Sequence, residues 1–327
     1  MKILVTGGAG YVGSTTAERL IAAGHEVVAY DSLALGHSAA VPRAAKLVVG
    51  DLADLELLTR TLRDEQVDAV LHCAGRSLVG ESVVKPDLYF RANIVGGIGL
   101  LDAMRAAGVT RVVFSSSAGV YGAPKEMPIK EDEPLSPVNP YGETKRTFEA
   151  ALQWYAAAFD MSAVSVRYFN AAGATRERGE DHNPEAHLIP NLLSAAAGNA
   201  PLKIFGNDYP TPDGTCVRDY VHVLDLADAH AAALELTGEI TGDHVACNLG
   251  SGSGFSNLQV LRAAEEVVGK PIEYTMAGRR EGDPPVLVAG NQKASEMLGW
   301  TPKRGTLKEM IGSAWSWRQR HPKGYQE

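Results

Sequence analysis

A chain of 327 residues, 45% hydrophobic and 21% charged, carries enough apolar material for one large domain or two coupled ones, and is not a disordered polymer. Its 31 Lys and Arg against 39 Asp and Glu leave a net charge of −8, which excludes the basic balance of a nucleic-acid or anionic-membrane binder. Three scattered cysteines, Cys73, Cys216 and Cys247, form no CxxC pair, so neither a disulfide framework nor a metal site is expected, and a reducing compartment is.

The chain reaches a glycine cluster by residue 7, leaving no room for a signal peptide, and the uncharged stretch from Ala186 to Leu202 is broken by Pro190 and Pro201. A cytoplasmic protein without a membrane partner is expected. Short apolar runs follow at Ile3-Leu4-Val5, Val27 to Tyr30, Leu47 to Val49, Ala69 to Leu71, Val112 to Phe114 and Ala163 to Val166. Runs of this length between turn signals suit strands buried on both faces. Between them, Val12 to Ala23 and Asp87 to Ala107 have helical spacing and end at Gly24 and Gly108. Repeating β–α units predict an α/β fold with a doubly wound parallel sheet.

Beyond residue 170 the texture becomes rich in Gly, Pro, Asn and Asp. One helix is expected from Leu192 to Ala197, another from Asp225 to Leu236, and two amphipathic helices with short strands between Phe255 and Arg320. The predicted organisation is a Rossmann-type dinucleotide-binding domain over 1–170 and a smaller α/β substrate-facing domain over 171–327. Segments at about 220–250 are expected to return to the first domain.

The stretch Thr6-Gly7-Gly8-Ala9-Gly10-Tyr11-Val12-Gly13 follows the first strand and opens the first helix. Glycines here allow a tight turn, backbone approach to a pyrophosphate and close helix–strand packing, and the helix N-terminus favours the anion. Asp31 ends the second strand, 18 residues past Gly13, where an acid accepts ribose hydroxyls. Ser32-Leu33 follows with no Arg for a 2′-phosphate, so NAD is preferred to NADP. Asp51, at the end of the third strand, suits either the adenine amino group or a helix N-cap. After the fourth strand come His72, read as a core residue, Cys73, read as packing, and the small pair Ala74-Gly75, which permits close cofactor approach.

Ser115-Ser116-Ser117 follows the fifth strand, which ends at Phe114, at the same sheet edge, and Tyr141 and Lys145 stand four apart on a helix opened by Pro140. A Ser/Tyr/Lys set beside a nicotinamide is an acid–base site for hydride transfer at a hydroxyl-bearing carbon. A phenol needs its pKa lowered by about 3 units to act as a base near neutrality. One nearby cation gives ~1–3 units, so Lys145 together with a positive nicotinamide is the expected source. Tyr141 is then the general base, Lys145 its electrostatic partner and Ser117 the hydrogen-bonding relay.

Several stretches together resemble the extended short-chain dehydrogenase/reductase family and, most closely, its UDP-glucose (UDP-galactose) 4-epimerases. They are TGGAGYVGS, VGESVVKP, VVFSSSAGVYG, NPYGETK, RYFNAAGA, IFGNDYPTPDGTCVRDYVHVLDLADAH, CNLGSG and RREGDPP, spread from end to end. The resemblance implies an enzyme with tightly bound NAD that oxidises C4 of a UDP-sugar, lets the 4-keto sugar turn, and reduces it on the other face. It also implies a homodimer. It extends the cofactor set to Tyr11, Val12, Ser32, Leu52, Cys73, Asn93, Ser115 and Tyr168. It assigns Asn170, His187, Leu188, Lys203, Phe205, Arg218, Tyr220, Arg280, Asp283 and Leu287 to the substrate. Arg218 and Arg280 suit diphosphate oxygens, Asp283 the uridine ribose, Phe205 the uracil face and Leu287 the space at C2 of the sugar. A strand alternation at Val286-Leu287-Val288 would instead turn Leu287 to the core.

The chain departs from family pattern at Ser77, where some members have Lys, at Arg91-Ala92-Asn93, which keeps only Asn93 of an Asn-rich version, and at His187, where others have Asn. A 4,6-dehydratase would want a carboxylate after Ser117, where Ala118 and Gly119 stand. Three further readings compete: a net dehydrogenase, a non-catalytic NAD-binding protein, and a 4-epimerase of UDP-N-acetylglucosamine, UDP-glucuronate or UDP-xylose.

Overall fold

The computed structural model describes residues 1–199, 201–280 and 283–326. Its first half alternates β1 (Lys2–Thr6), α1 (Tyr11–Ala22), β2 (Glu26–Asp31), β3 (Lys46–Val49), α2 (Leu55–Asp64) and β4 (Ala69–His72). Two short helices, α3 (Val79–Val84) and α4 (Pro86–Tyr89), lead into α5 (Gly96–Ala107), β5 (Arg111–Ser117), α6 (Pro140–Phe159) and β6 (Ser162–Tyr168). The second half runs β7 (Asn170–Ala172), α7 (Leu188–Ala196), β8 (Leu202–Phe205), β9 (Val217–His222), α8 (Val223–Leu236) and β10 (Asp243–Leu249). It closes with β11 (Gly254–Ser256), α9 (Asn257–Val268), β12 (Tyr274–Ala277), β13 (Val286–Leu287), α10 (Gln292–Leu298) and α11 (Leu307–Arg320). Gly24 and Gly108 take left-handed φ of 87° and 77° just past α1 and α5, a conformation that costs glycine nothing.

Seven strands form one parallel sheet in the order β10-β6-β5-β4-β1-β2-β3. Strand order reverses between β1 and β4, and this opens a crevice at their carboxyl ends. Alternation along β1 divides the core. Ile3 and Val5 pack with Ala17 and Leu20 of α1 and Leu226 and Ala229 of α8. Leu4 packs on the opposite face with Leu58, Leu100 and Phe148. β3 departs from the expected two-sided burial. It is the edge strand, and Val49 is 56% exposed.

The expected continuous helix from Asp87 to Ala107 is interrupted, because Phe90–Val95 widens into a π-helical turn that holds Asn93. Such turns recur at functional sites. Between β6 and α6 runs a buried ionic link. Arg167 Nη2 lies 2.5 Å from Glu149 Oε2, Ser116 donates to Glu149, and Arg167 Nη1 donates to the Tyr121 hydroxyl at 2.8 Å.

A separate core joins Ile189 and Leu192 of α7, Val260 and Leu261 of α9, and Met310 and Ile311 of α11. β9 is flanked there by β7, β11 and β13, while β8 and β12 form a parallel pair. Helix α7 starts at Leu188, earlier than the expected Leu192, since Pro190 falls in its first turn, where a missing N–H costs little. Among the described residues three helices, not two, follow Phe255. The additional one, α10, is only seven residues long and buries Ala294 in the first core. Among the described residues no helix is long and apolar enough to cross a membrane.

Candidate active site

The carboxyl ends of β1, β2, β4, β5 and β6 open on a cleft of about 1150 Å³ that continues into the second lobe. At one end lies the glycine turn. Gly7 has φ 69°, and a Cβ there would lie 2.6 Å from the Ala74 backbone nitrogen. A Cβ on Gly13 would collide with the Gly7 carbonyl, whereas one on Gly10 would meet only that carbonyl, at 3.3 Å. The outer two glycines thus let backbones touch, and the middle one keeps the mouth of α1 open. Tyr11 and Val12 also line the cleft, and the Tyr11 hydroxyl donates to the Gly173 carbonyl at 2.5 Å.

Asp31 is 9% exposed and faces the same space. Its oxygens accept N–H groups of Ala9 at 3.0 Å and Leu33 at 2.8 Å, which hold the carboxylate still and leave lone pairs toward the cleft. Ser32 and Leu52 also line the cleft. Asp51 does not cap α2. Asp54 does, accepting from Leu57 at 3.0 Å, while Asp51 accepts from Ala53 at 2.8 Å and lines the cleft. Ala74 and Gly75 form the wall next to Cys73, whose thiol pKa is pushed up to about 12 by burial. His72 is 1% exposed, bonded to the Thr6 hydroxyl at 2.7 Å and stacked on Phe114. Burial, and then the charge of Lys145, push its pKa down to about 3, so it is a neutral core residue.

Asn139 caps α6 by accepting from Gly142 at 2.9 Å, and Pro140 occupies the first turn. That start puts Tyr141 at the mouth of the helix and Lys145 one turn below, both lining the cleft with Ser117 and Tyr168. Lys145 Nζ donates to the Ser115 carbonyl at 2.8 Å and lies 4.6 Å from the Phe114 ring centroid and 5.8 Å from that of Tyr141. Burial lowers its pKa to about 8, against the pull of Cys73 and Glu149. Burial likewise raises Tyr141, and the Ser117 hydroxyl only partly opposes it. The Ser117 oxygen accepts from Gly119 at 3.1 Å.

Two expected cofactor residues sit behind the wall. Ser115 bonds His230 at 2.7 Å and Cys73 at 3.1 Å with its hydroxyl and supports Lys145 with its carbonyl. Asn93 accepts from the Arg76 N–H at 2.8 Å and donates to the Arg76 carbonyl and the Thr144 hydroxyl. It pins the strip that carries Arg76 to the cleft.

At the other end, Arg218 of β9 is ion-paired with Asp283, and the Arg280 guanidinium lies 4.1 Å from the Phe205 ring centroid. Glu281 and Gly282, within the RREGDPP stretch, lie outside the described residues. Asn170, His187, Leu188, Lys203 and Tyr220 line the same space, and Asn170 donates to the Asp219 carbonyl at 2.8 Å. Leu287 is half-buried. It touches the cluster of Val120, Tyr121 and Ile129 and also lines the cleft, so both expectations for it hold in part.

A model of the NAD dependent epimerase/dehydratase family matches residues 3–249. The chain belongs to that family. It is 50% identical to a UDP-glucose 4-epimerase of Lactobacillus helveticus over 100% of both chains, and 51% identical to one of Streptococcus mutans over 100% of this chain and 99% of the relative. A UDP-glucose 4-epimerase from Bifidobacterium longum, solved in complex with NAD+ and UDP, superposes with a TM-score of 0.95 at 37% identity, covering 99% of this chain and 100% of that one.

Several cleft residues of this epimerase-family chain carry no signal in the sequence. Arg76, His37, Glu180, His182 and Tyr325 line it from loops and from the chain's end. Tyr325 is held by Asp181, which accepts its N–H at 2.8 Å. Only proximity in the fold brings these groups together.

Proposed function

We infer that the chain interconverts UDP-galactose and UDP-glucose by transient oxidation at C4. The carrying observation is one cleft that joins the glycine turn and Asp31, the Ser117/Tyr141/Lys145 set and the Arg218/Arg280/Asp283 lobe. The cofactor fits: the Gly7–Gly13 turn offers a helix mouth free of Cβ atoms, and the Asp31 carboxylate keeps free lone pairs for ribose hydroxyls. Residues 1–170 would hold NAD through that turn, Asp31, Asp51 and Tyr168, and residues 171–327 would hold the UDP-sugar.

When bound, NAD+ supplies a hydride acceptor and donor for C4 and a positive charge beside Tyr141. The protein's own groups handle the proton and the positions. Tyr141 as phenolate takes the proton of the C4 hydroxyl and gives it back to the keto oxygen after the sugar turns. Its burial raises its pKa, so a phenolate needs positive charge nearby. Lys145 provides part of it, held in one place by the Ser115 carbonyl. Ser117 donates its hydroxyl hydrogen to the reacting oxygen while accepting from Gly119. Arg218 and Arg280 grip the diphosphate with forked donors, which lets the sugar rotate while the nucleotide stays fixed. Leu287 limits the room at C2.

The working form is a cytoplasmic homodimer. Purified protein given UDP-galactose with no added NAD tests the activity, by chromatography of the products. UDP-glucose formed without NADH accumulation is expected. Conversion that needs added NAD and accumulates NADH stoichiometrically would instead make it a net dehydrogenase.

A further inference from the structure

Between Gly179 and α7 the chain reads Glu180-Asp181-His182-Asn183-Pro184-Glu185-Ala186-His187. Four of these side chains converge. His187 Nδ1 lies 2.8 Å from an oxygen of Glu180 and 2.8 Å from an oxygen of Glu185. His182 Nδ1 lies 3.2 Å from the same Glu180 oxygen and 3.7 Å from the other Glu185 oxygen. One donor atom from each residue is within 4.8 Å of every other.

Hydrogen bonding alone accounts poorly for this arrangement. His187 Nδ1 carries at most one hydrogen, yet faces two carboxylate oxygens at equal distance. The Glu185 oxygen it faces already accepts the backbone N–H groups of Ala186 and His187, each at 2.8 Å. His182 Nδ1 is buried and has no well-aligned hydrogen-bond partner among the described residues, a costly state that some ligand normally relieves.

Metal geometry accounts for it better. A zinc-class ion binds imidazole nitrogen and carboxylate oxygen at ~2.0–2.2 Å in a tetrahedron, which sets neighbouring donors about 3.3 Å apart. The separations of His187 and His182 from their shared Glu180 oxygen, 2.8 and 3.2 Å, lie near that value, and the two Glu185 oxygens lie 2.8 Å from His187 and 3.7 Å from His182, so that either can face the same ion. Two carboxylates with neutral imidazoles balance a dication. Two nitrogen donors favour a transition ion over Mg²⁺ or Ca²⁺, which prefer oxygen shells.

We propose that Glu180, His182, Glu185 and His187 bind one divalent transition-metal ion of the zinc class. Four protein donors close the shell, so the ion is structural and takes no part in the chemistry. It stands at the cleft, since Glu180, His182 and His187 line it. His187 directly precedes α7, and the His182 ring stands edge-on to Tyr11 of the glycine turn, with centroids 6.5 Å apart. The ion therefore fastens the loop between β7 and α7 beside both ends of the site.

Full-length protein, stripped with a chelator and dialysed, is titrated with Co²⁺, whose tetrahedral complexes absorb in the visible, and then with competing Zn²⁺. Saturation at one equivalent, displacement by Zn²⁺ and a thermal midpoint raised by Zn²⁺ are expected, with no competition from Mg²⁺ or Ca²⁺. His182→Ala and the shape-conserving Glu185→Gln should each weaken Zn²⁺ binding by at least ~10²-fold, the upper end for residues that merely support a ligand. Absence of saturable uptake by the wild-type protein overturns the proposal and leaves a cluster of imidazolium–carboxylate pairs. Zn²⁺ binding that both variants leave unchanged also overturns it. Ca²⁺ competing as well as Zn²⁺ overturns the choice of ion.

Discussion

Lys145→Met separates what Lys145 does for catalysis from what it costs the fold. The side chain is 6% exposed, and burial lowers its pKa from 10.5 to about 8. Below pH 8 the folded protein holds a charged ammonium that the unfolded chain holds more comfortably in water. Above about pH 10.5 neither state is charged and the penalty is gone. In this window the unfolded state binds more protons, so stability must rise with pH. At about 1.36 kcal/mol per pH unit, the fall from 10.5 to about 8 gives a penalty of about 3 kcal/mol near neutrality. Methionine removes that penalty, but also the bond to the Ser115 carbonyl and the charge over Phe114. The charge-dependent part of those losses is already contained in the lowered pKa, and what remains, the packing and the neutral hydrogen bond, does not vary with pH. The difference in unfolding free energy, variant minus wild type, should therefore fall by about 3 kcal/mol from near pH 7 to near pH 10.5. Urea unfolding of the cofactor-free proteins, followed by circular dichroism, measures it. Parallel pH–stability curves would mean instead that Lys145 is as well solvated in the fold as outside it.

Tyr141→Phe keeps the ring's packing and should lower turnover by at least ~10²; near-normal turnover would remove Tyr141 as the base. Leu287→Ala opens the wall at the sugar and should shift kcat/KM toward UDP-N-acetylglucosamine relative to UDP-galactose by roughly 5- to 150-fold, the range set by ~1–3 kcal/mol of overpacking. An unchanged ratio takes Leu287 out of the pocket. Arg167→Met leaves Glu149 buried without its partner and should cost roughly 3–5 kcal/mol in chemical denaturation; a loss below ~1 kcal/mol would show that water reaches the pair.

The central strands are legible because both of their faces are buried, which writes an unbroken apolar run into the sequence. β1, β4 and β6 are of this kind, while β3 reads the same yet lies at the edge. β7, β11 and β13 are two or three residues long and carry no period. The glycine turn is legible because close backbone contact admits nothing larger at Gly7 and Gly13. Which serine of Ser115-Ser116-Ser117 opens to the cleft is a matter of strand geometry that the triplet itself cannot state. Ser115 and Ser116 turn out to serve His230 and Glu149. Asn93 points inward because a π-helical turn reorients it. Glu180 and His182 show no spacing that periodicity could detect, and only the fold of their loop brings them together.

In the proposed reaction hydrogen leaves C4 and returns to the same carbon without entering solution. UDP-galactose carrying deuterium at C4, incubated with the purified protein and no added cofactor, tests it through the mass and proton spectrum of the UDP-glucose formed. Direct return of the hydride predicts product that keeps its deuterium at C4. Product bearing solvent hydrogen at C4 would contradict it.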